Sequence, residues 1–99
     1  MVHVSIGGEF GLKSARCSAA GLVHTGHCLI YDITVDPSAA AWAIAISDGV
    51  ATGTTKWSCK SALQVGFQYP FSKPMEMLTG IYAETVTNMT FTVLYAEVV

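Results

Sequence analysis

Hydrophobic and polar residues alternate with a period of two along most of the chain, which is typical of β-strands with one buried face. The stretch "MTFTVLYAEVV" shows this pattern most clearly. It predicts a final strand whose apolar face is formed by Met89, Phe91, Val93 and Tyr95. "TTKWSCK" predicts another amphipathic strand, with an inward face of Thr55, Trp57 and Cys59 and an outward face of Lys56, Ser58 and Lys60.

Two further strands are predicted in the first half of the chain. "HCLIYDITVD" divides into Leu29, Tyr31, Ile33 and Val35 on one face and Ile30, Asp32 and Thr34 on the other. In "AWAIAISD" both faces are apolar, because Trp42, Ile44 and Ile46 alternate with alanines. A strand of this kind is typically packed on both sides. Its small alanines would let another layer or another subunit approach closely.

Prolines and glycines mark the ends of the remaining strands. "LQVGFQYPF" predicts a strand with a bulge at Gly66 and an end at Pro70. "PMEML" predicts a separate short strand beginning at Pro74, where proline suits a sheet edge. A Thr79-Gly80 turn then leads into the strand "IYAETV".

The N-terminal segment allows two interpretations. In "MVHVSIGGEFGLK", Val2, Val4 and Ile6 alternate with polar residues, and three glycines follow within five residues. Residues 1–13 are therefore either a detachable arm on a glycine hinge or an ordinary first strand, since apolar alternation fits both. Residues 14–99 form the domain itself.

Short strands at regular spacing, separated by turn residues, indicate an all-β fold. The chain has 99 residues, which is the size of one domain. The predicted architecture is a single antiparallel β-sandwich, jelly-roll-like, with about eight short strands and an N-terminal arm.

The composition indicates that this sandwich does not act as a free monomer. Charged residues make up 12% of the chain and hydrophobic residues 52%, whereas charged residues are about 25% of a typical soluble domain. Apolar side chains must then face solvent or a partner, which predicts an oligomer or a component of a larger assembly. The net charge of −2 and the scattered basic residues argue against nucleic-acid binding.

Signals for a membrane or for secretion are not found in the sequence. No apolar run approaches the roughly 20 residues that cross a bilayer, and the start of the chain lacks a signal-peptide pattern. We therefore expect a protein made in a cytoplasm, with no membrane partner. Cys17, Cys28 and Cys59 cannot all pair within one chain, so free thiols packed as small apolar side chains are expected.

The stretch "HTGHC" is the best candidate metal site. His24, His27 and Cys28 belong to residue types that bind zinc, and a two-residue hairpin turn at Thr25-Gly26 would place the two histidines opposite each other. A structural zinc site needs four ligands, and no second close pair is present. Cys28 would also point to the opposite face from His27. The favoured interpretation is two polar rings at an exposed turn, with no metal and no other cofactor.

Aspartates and glycines offer two more candidate sites. "DGVATGTTKW" separates Gly49 from Gly53 by three residues, whereas a phosphate-binding loop needs four, then a lysine at once and a helix. We interpret it as a connection between strands. Asp32, Asp36 and Asp48 could cluster at one end of a sheet, but no calcium-loop pattern accompanies them, and loop-capping aspartates are expected instead.

No catalytic constellation is evident, so we expect neither enzymatic activity nor a small-molecule substrate. A nucleophilic cysteine would need a base and a group that orients the base, and no local sequence singles one out. The aromatic residues offer either core and interface packing or a sugar-stacking platform. The candidates for that platform are Tyr31, Trp42, Trp57, Tyr69, Tyr82 and Tyr95.

From Cys17 onward, the order of elements resembles a loose group of small phage-encoded β-sandwich proteins. "SAAGLVHTGHCLIYDITV" has a small-residue, Gly, Thr-Gly, apolar-strand pattern, and "AWAIAISDGVATGTT" has a strand ending in Asp-Gly and then a Thr-Gly. "FQYPFSKPMEMLTGIYAETV" combines an aromatic strand, a proline segment and a Gly-Ile-Tyr strand start. "MTFTVLYAEVV" closes the pattern with a threonine-rich strand carrying Tyr95. The histidines and the cysteines lie outside it.

The resemblance implies a structural virion protein, most often a capsid decoration (cement) protein on the outside of a phage head. Such proteins commonly act as homotrimers where capsomers meet, which implies the major capsid protein as partner. We expect the N-terminal arm to add a strand to a neighbouring sheet, through Val2, Val4, Ile6 and Phe10. The alternatives are a neck, tail or fibre component, and a small carbohydrate-binding module.

Overall fold

The computed structural model describes residues 12–50 and 52–98, which form eight strands and their connecting loops. The strands are β1 (Leu12–Cys17), β2 (Gly21–Thr25), β3 (Cys28–Pro37), β4 (Trp42–Asp48), β5 (Thr55–Ser61), β6 (Phe67–Met77), β7 (Gly80–Thr87) and β8 (Met89–Glu97). The prediction of an all-β domain of about eight strands is confirmed. The described residues include no helix that could span a membrane.

The eight strands form two antiparallel sheets, ordered β1-β8-β3-β6 and β2-β7-β4-β5. The first strand pairs with the eighth, the second with the seventh, the third with the sixth and the fourth with the fifth. The chain is thus one long hairpin rolled up into two layers, and β3·β8 and β4·β7 pairing completes the sheets. This is jelly-roll connectivity, as the sequence predicts.

The core lies between the inner faces of the two sheets. From β8 it takes Met89, Phe91, Val93 and Tyr95, which confirms the predicted apolar face of the last strand. From β4 it takes Trp42, Ile44 and Ile46. Ala43 and Ala45 on the other face of β4 are partly buried, so the described residues cover that face of the strand less completely.

A β-bulge in β3 changes which of its residues face inward. The pairing of β3 with both neighbours shifts between Ile30 and Asp32, so Tyr31 is an extra residue in the strand. Cys28 and Ile30 are buried before the bulge, and Ile33 and Val35 after it. The prediction that Leu29 and Tyr31 share a face with Ile33 and Val35 is wrong, because a bulge reverses the alternation.

A similar shift of register occurs where β5 pairs with β4. Ile46 pairs with Trp57 and Ser47 pairs with Thr55, so Lys56 is an extra residue in β5. Trp57 and Cys59 point towards the core, as predicted, and are partly buried. Thr55 does not: it is exposed and its hydroxyl donates a hydrogen bond to Glu84 at 2.7 Å. The alternation of "TTKWSCK" therefore predicts the inward face correctly for two of its three residues.

Residues 67–77 form one long edge strand, although two strands were predicted here. Pro70 does not end the strand; it lies opposite Asp32 in the ladder with β3. The pairing of β6 with β3 is interrupted at residues 71–74. Ile30 pairs with Met75 and Asp32 with Pro70, so these four residues have no partner in β3. Gly66 lies just before β6 and not within a bulge, and a Cβ there would lie 2.9 Å from the Val35 carbonyl oxygen. Both prolines are tolerated because β6 is at an edge.

The predicted hairpin at Thr25-Gly26 is wrong, because β2 and β3 belong to different sheets. The backbone N–H of Gly26 instead donates to the carbonyl of Thr79 at 2.7 Å, with Gly26 at a φ of 118°. The turn therefore carries the chain across one end of the sandwich.

The predicted arm residues Val2, Val4, Ile6 and Phe10 lie outside the described residues. In the described residues β1 begins at Leu12, which pairs with Ala96, and continues through Lys13, which pairs with Tyr95. The eight strands that the structure describes lie within residues 12–97.

Candidate interaction surface

The sandwich has two lateral edges with different side chains. At one of them, β1 and β2 are the outermost strands of the two sheets, and we call this the small-residue edge. At the other, β5 and β6 are outermost, and we call this the aromatic edge. In the part of the chain that the structure describes, β5 pairs only with β4, and β6 only with β3.

The small-residue edge closes the core with compact side chains. Ala15 and Cys17 of β1 and Val23 of β2 are partly buried and pack against the core. Each of these three side chains is small, and the large apolar side chain that β2 leaves in solvent is Leu22, which is 57% exposed.

The aromatic edge carries three rings in mutual contact. The Trp57 ring centroid lies 5.7 Å from that of Tyr69 and 6.1 Å from that of Phe71, and the Tyr69 and Phe71 centroids are 4.9 Å apart. Trp57 belongs to one sheet and the other two rings to the opposite sheet, so this cluster bridges the layers. Trp57 and Phe71 are partly buried and Tyr69 is 44% exposed. The three rings therefore pack against one another but remain partly exposed to solvent.

The apolar surface continues beyond the three rings to the loop that joins β5 and β6. Leu63 and Val65 in this loop are 67% and 61% exposed. Phe67, at the start of β6, stacks on Trp42 with centroids 5.5 Å apart and an interplanar angle of 23°. Phe67 thus anchors the exposed surface to the buried core.

Asp48 ties two loops together at one end of the aromatic edge. Its carboxylate accepts hydrogen bonds from the backbone N–H groups of Leu78, Thr79 and Gly80 at 3.0, 2.8 and 3.2 Å. Partial burial raises the pKa of the Asp48 carboxyl, but the three backbone donors and the charge of Lys56 outweigh it and hold the pKa below its usual value. Asp48 is a loop-capping residue, as expected.

The loop "DGVATGTTKW" joins β4 to β5, as predicted. Gly49 has a φ of 79°, and a Cβ there would lie 2.5 Å from the Thr79 side chain. Gly49 is needed for this close approach to the neighbouring turn.

The two histidines of the candidate metal site face different carboxylates. His27 Nε2 lies 2.7 Å from a Glu76 carboxylate oxygen. His24 Nε2 lies 3.8 Å from Glu97, and its ring lies against Tyr95 with centroids 4.8 Å apart. Among residues 12–50 and 52–98, no group of three or more His, Cys, Asp or Glu side chains is placed to hold a metal ion.

The three candidate aspartates are divided among separate local networks. The Asp32 carboxylate accepts from Thr34 and Gln68 at 3.1 and 2.6 Å. Asp36 pairs with Arg16 at 3.2 Å on the surface. With Asp48 bound to the 78–80 turn, each carboxylate serves its own strand or loop.

The cysteines are free thiols with different environments. Cys28 is fully buried, and desolvation, helped by the carboxylates of Asp48 and Glu97, raises its pKa to about 11. Burial also raises the pKa of Cys17. Cys17 and Cys59 are partly buried and pack against the core, as expected of small apolar side chains.

The six aromatic residues named as candidates for a sugar platform are not gathered in one place. Trp42 and Tyr95 are buried in the core, whereas Trp57 and Tyr69 meet at the aromatic edge. The rings of the edge are inclined to one another by 55° to 75°, so they present no single flat surface. Phe71 completes this cluster, and the sequence reasoning missed it because Pro70 was taken as a strand end.

Comparisons of the chain with protein-family models, with curated proteins and with solved structures find no match.

Proposed function

We propose that this protein is a structural virion component, most simply a capsid decoration protein that forms a multimer and stabilises a phage head shell. The observation that carries the proposal is the aromatic edge. It joins both sheets through Trp57, Tyr69 and Phe71, and it leaves apolar area in solvent. Jelly-roll domains are a common building block of viral capsids, which supports the same role.

The size of the aromatic edge favours a partner that engages many copies. Covering a half-exposed aromatic ring removes about 100 Å² from water, which is worth about 2.5 kcal/mol. Association of two proteins costs about 4–15 kcal/mol in lost freedom. One such edge therefore gives weak binding between two isolated chains, and copies held side by side on one shell gain avidity from it. A decoration protein meets this condition.

The proposed multimer is a trimer that sits on the shell and ties neighbouring capsid subunits together. The outward faces of the sheets stay polar enough for this position, with Arg16 and Asp36 paired across one of them. The arm of residues 1–11 adds a strand to a neighbouring sheet, where backbone hydrogen bonds give affinity and alternate side chains give register.

The test is binding of the purified protein to heads of the phage that encodes it. We expect the full chain to run as a trimer and to sediment with heads that lack it. Deletion of residues 1–11 should leave the circular dichroism spectrum unchanged and abolish sedimentation with heads. Thr34→Lys, on the exposed outer face of β3, is the matched control and should bind as the parent does.

Two results would contradict the decoration role. A trimer that does not bind heads would exclude it, and a six- or twelve-fold ring would favour a neck or tail component. Quenching of Trp57 fluorescence by oligosaccharides would instead favour a carbohydrate-binding module, and we expect no such quenching because the rings are inclined.

A further inference from the structure

We propose that the aromatic edge receives residues 2–6 of a second copy of this chain as an added strand beside β5. Each copy would give its arm to the next and receive one in turn. This inference depends on the proposed function only for the claim that the protein works as a multimer, and it adds which strand is the acceptor.

At the aromatic edge the acceptor is β5, because its neighbour there, β6, cannot extend a sheet. Pro70 and Pro74 in β6 have no backbone N–H, and residues 71–74 leave the ladder. β5 contains no proline, and in the described residues its far side has no strand partner. An exposed edge of this kind is a template for a further strand.

The side chains of β5 show what an added strand must supply. Trp57 and Cys59 point towards the core but remain only partly buried, whereas the inward residues of β4 beside them are buried. The outward residues of β5 are lysines and a serine. A complementary strand would be apolar at alternate inward positions and polar between them. Residues 2–6 read Val-His-Val-Ser-Ile, which meets both conditions.

The direction of the chain also fits. Leu12, the first residue of β1, pairs with Ala96, and Ala96 also pairs with Leu29. These residues lie at the end of the sandwich where Asp48 binds the 78–80 turn. β5 begins at this same end, because its first residue pairs with Ser47. An arm that reaches β5 of a neighbour from this end would run antiparallel to it.

The length of the arm favours a second copy over the same molecule. The six steps from Leu12 to residue 6 span at most about 21 Å. A strand beyond its own β5 lies four strand spacings across and one layer away, about 22 Å in a straight line through the domain. Glycine-rich segments are on average much shorter than their full extension. The arm can reach β5 of a neighbouring copy without crossing its own domain.

Direct pairing of β5 with β5 of a second copy is disfavoured by charge. An antiparallel pair centred on Ser58 would place Lys56 of each copy opposite Lys60 of the other. Like charges directly opposite each other destabilise a sheet. The arm carries no lysine or arginine in residues 2–6. Head-to-tail arm exchange closes a ring when the rotation between copies is one third of a turn, as a trimer requires.

The test is disulfide cross-linking between two distinguishable chains. Both carry Cys17→Ser. One also carries Cys59→Ser and a single arm cysteine (Val2→Cys, Val4→Cys or Ile6→Cys), and the other keeps its native Cys59. Inward residues of adjacent strands are close enough for a disulfide. After mixing and mild oxidation, we expect at least one of the three to give tenfold more covalent heterodimer than His3→Cys, which points the other way.

Two outcomes overturn the proposal. One is that no arm cysteine exceeds the His3→Cys control. The other is that Val4→Cys with Cys59 in the same chain yields only cross-linked monomer.

A second measurement uses the unmodified protein. Quenching of Trp57 fluorescence by acrylamide should fall as protein concentration rises, and Trp42 contributes little to the signal because it is only 2% exposed. Quenching that stays constant over a dilution range in which the multimer dissociates contradicts arm exchange. Cross-linking without head binding refutes the proposed function alone.

Discussion

The small-residue edge and the aromatic edge occupy equivalent places in the sandwich, yet they are finished differently. At the first, Ala15, Cys17 and Val23 end the core with short side chains. At the second, Trp57, Tyr69 and Phe71 continue the core outward and are left partly in water. A monomer needs only short side chains at the edges of its core. The aromatic edge costs hydrophobic free energy in isolation, so it indicates a surface shaped for a partner.

The largest difference between the edges is expected in core stability. Phe67→Ala removes the ring that stacks on Trp42 and should lower the free energy of unfolding by about 2 kcal/mol, less than for a fully buried phenylalanine. Cys17→Ala at the small-residue edge is the matched change and should cost less than about 1 kcal/mol. Urea unfolding of both variants at low protein concentration measures this. Equal losses would mean that the aromatic edge contributes no more to the core than the other edge.

A smaller effect is expected at the end of the sandwich, where Asp48 fastens the β4–β5 loop at the aromatic edge. Because its folded pKa is lowered, its contribution is complete above the unfolded pKa of about 3.9 and is lost as pH falls through the folded pKa. Asp48→Asn should therefore be less stable than the parent by about 1 kcal/mol at pH 7, and this difference should shrink as the pH falls below about 3.9. Thermal unfolding from pH 7 to pH 2 tests this, and a difference that does not shrink below that pH contradicts it.

The matched control for Asp48 is the ion pair at the same end of the small-residue edge. Lys13 Nζ lies 2.9 Å from Glu97, and the hydrogen bond and charge of Lys13 lower the pKa of Glu97. Both side chains are well exposed, so the pair should contribute little. Lys13→Met should leave the unfolding midpoint unchanged within error at every pH.

The smallest effect is expected in thiol reactivity. Cys59 of β5 and Cys17 of β1 are both partly buried, whereas Cys28 is buried with a pKa of about 11 and should react only on unfolding. If the aromatic edge is covered in the multimer, dilution should raise the labelling rate of Cys59 severalfold and leave that of Cys17 unchanged. Labelling followed by peptide mass measurement separates the sites. Equal rates at all concentrations would place Cys59 outside the interface.

Much of the fold could be predicted from alternation alone, because one face of most strands is buried. β8 follows its pattern from Met89 to Tyr95, and the loop from β4 to β5 lies where Asp-Gly indicates. The failures occur where the ladder is irregular. The bulge at Tyr31 moves Leu29 out of the predicted face. No residue type near Tyr31 in the sequence indicates a bulge.

The candidate site could not be predicted because its members are distant in sequence and belong to different sheets. Trp57 was assigned correctly to an inward face, but its contact with Tyr69 and Phe71 depends on how the two sheets stack. Pro70 predicts a strand end, and that prediction separates Tyr69 from Phe71. Proline is compatible with β6 only because that strand is an edge, and edge position is a property of the whole topology.

The rolled-up hairpin also constrains the order in which the protein can fold. β4 and β5 are neighbours in sequence and can pair early, whereas β1 must wait for β8, since Leu12 pairs with Ala96. Loop closure over such separations is slow, and domains dominated by distant pairings fold in milliseconds to seconds. During synthesis the domain cannot close until its last strand emerges from the ribosome. Nascent chains therefore wait with unpaired strands, and the time spent in that state sets their exposure to aggregation.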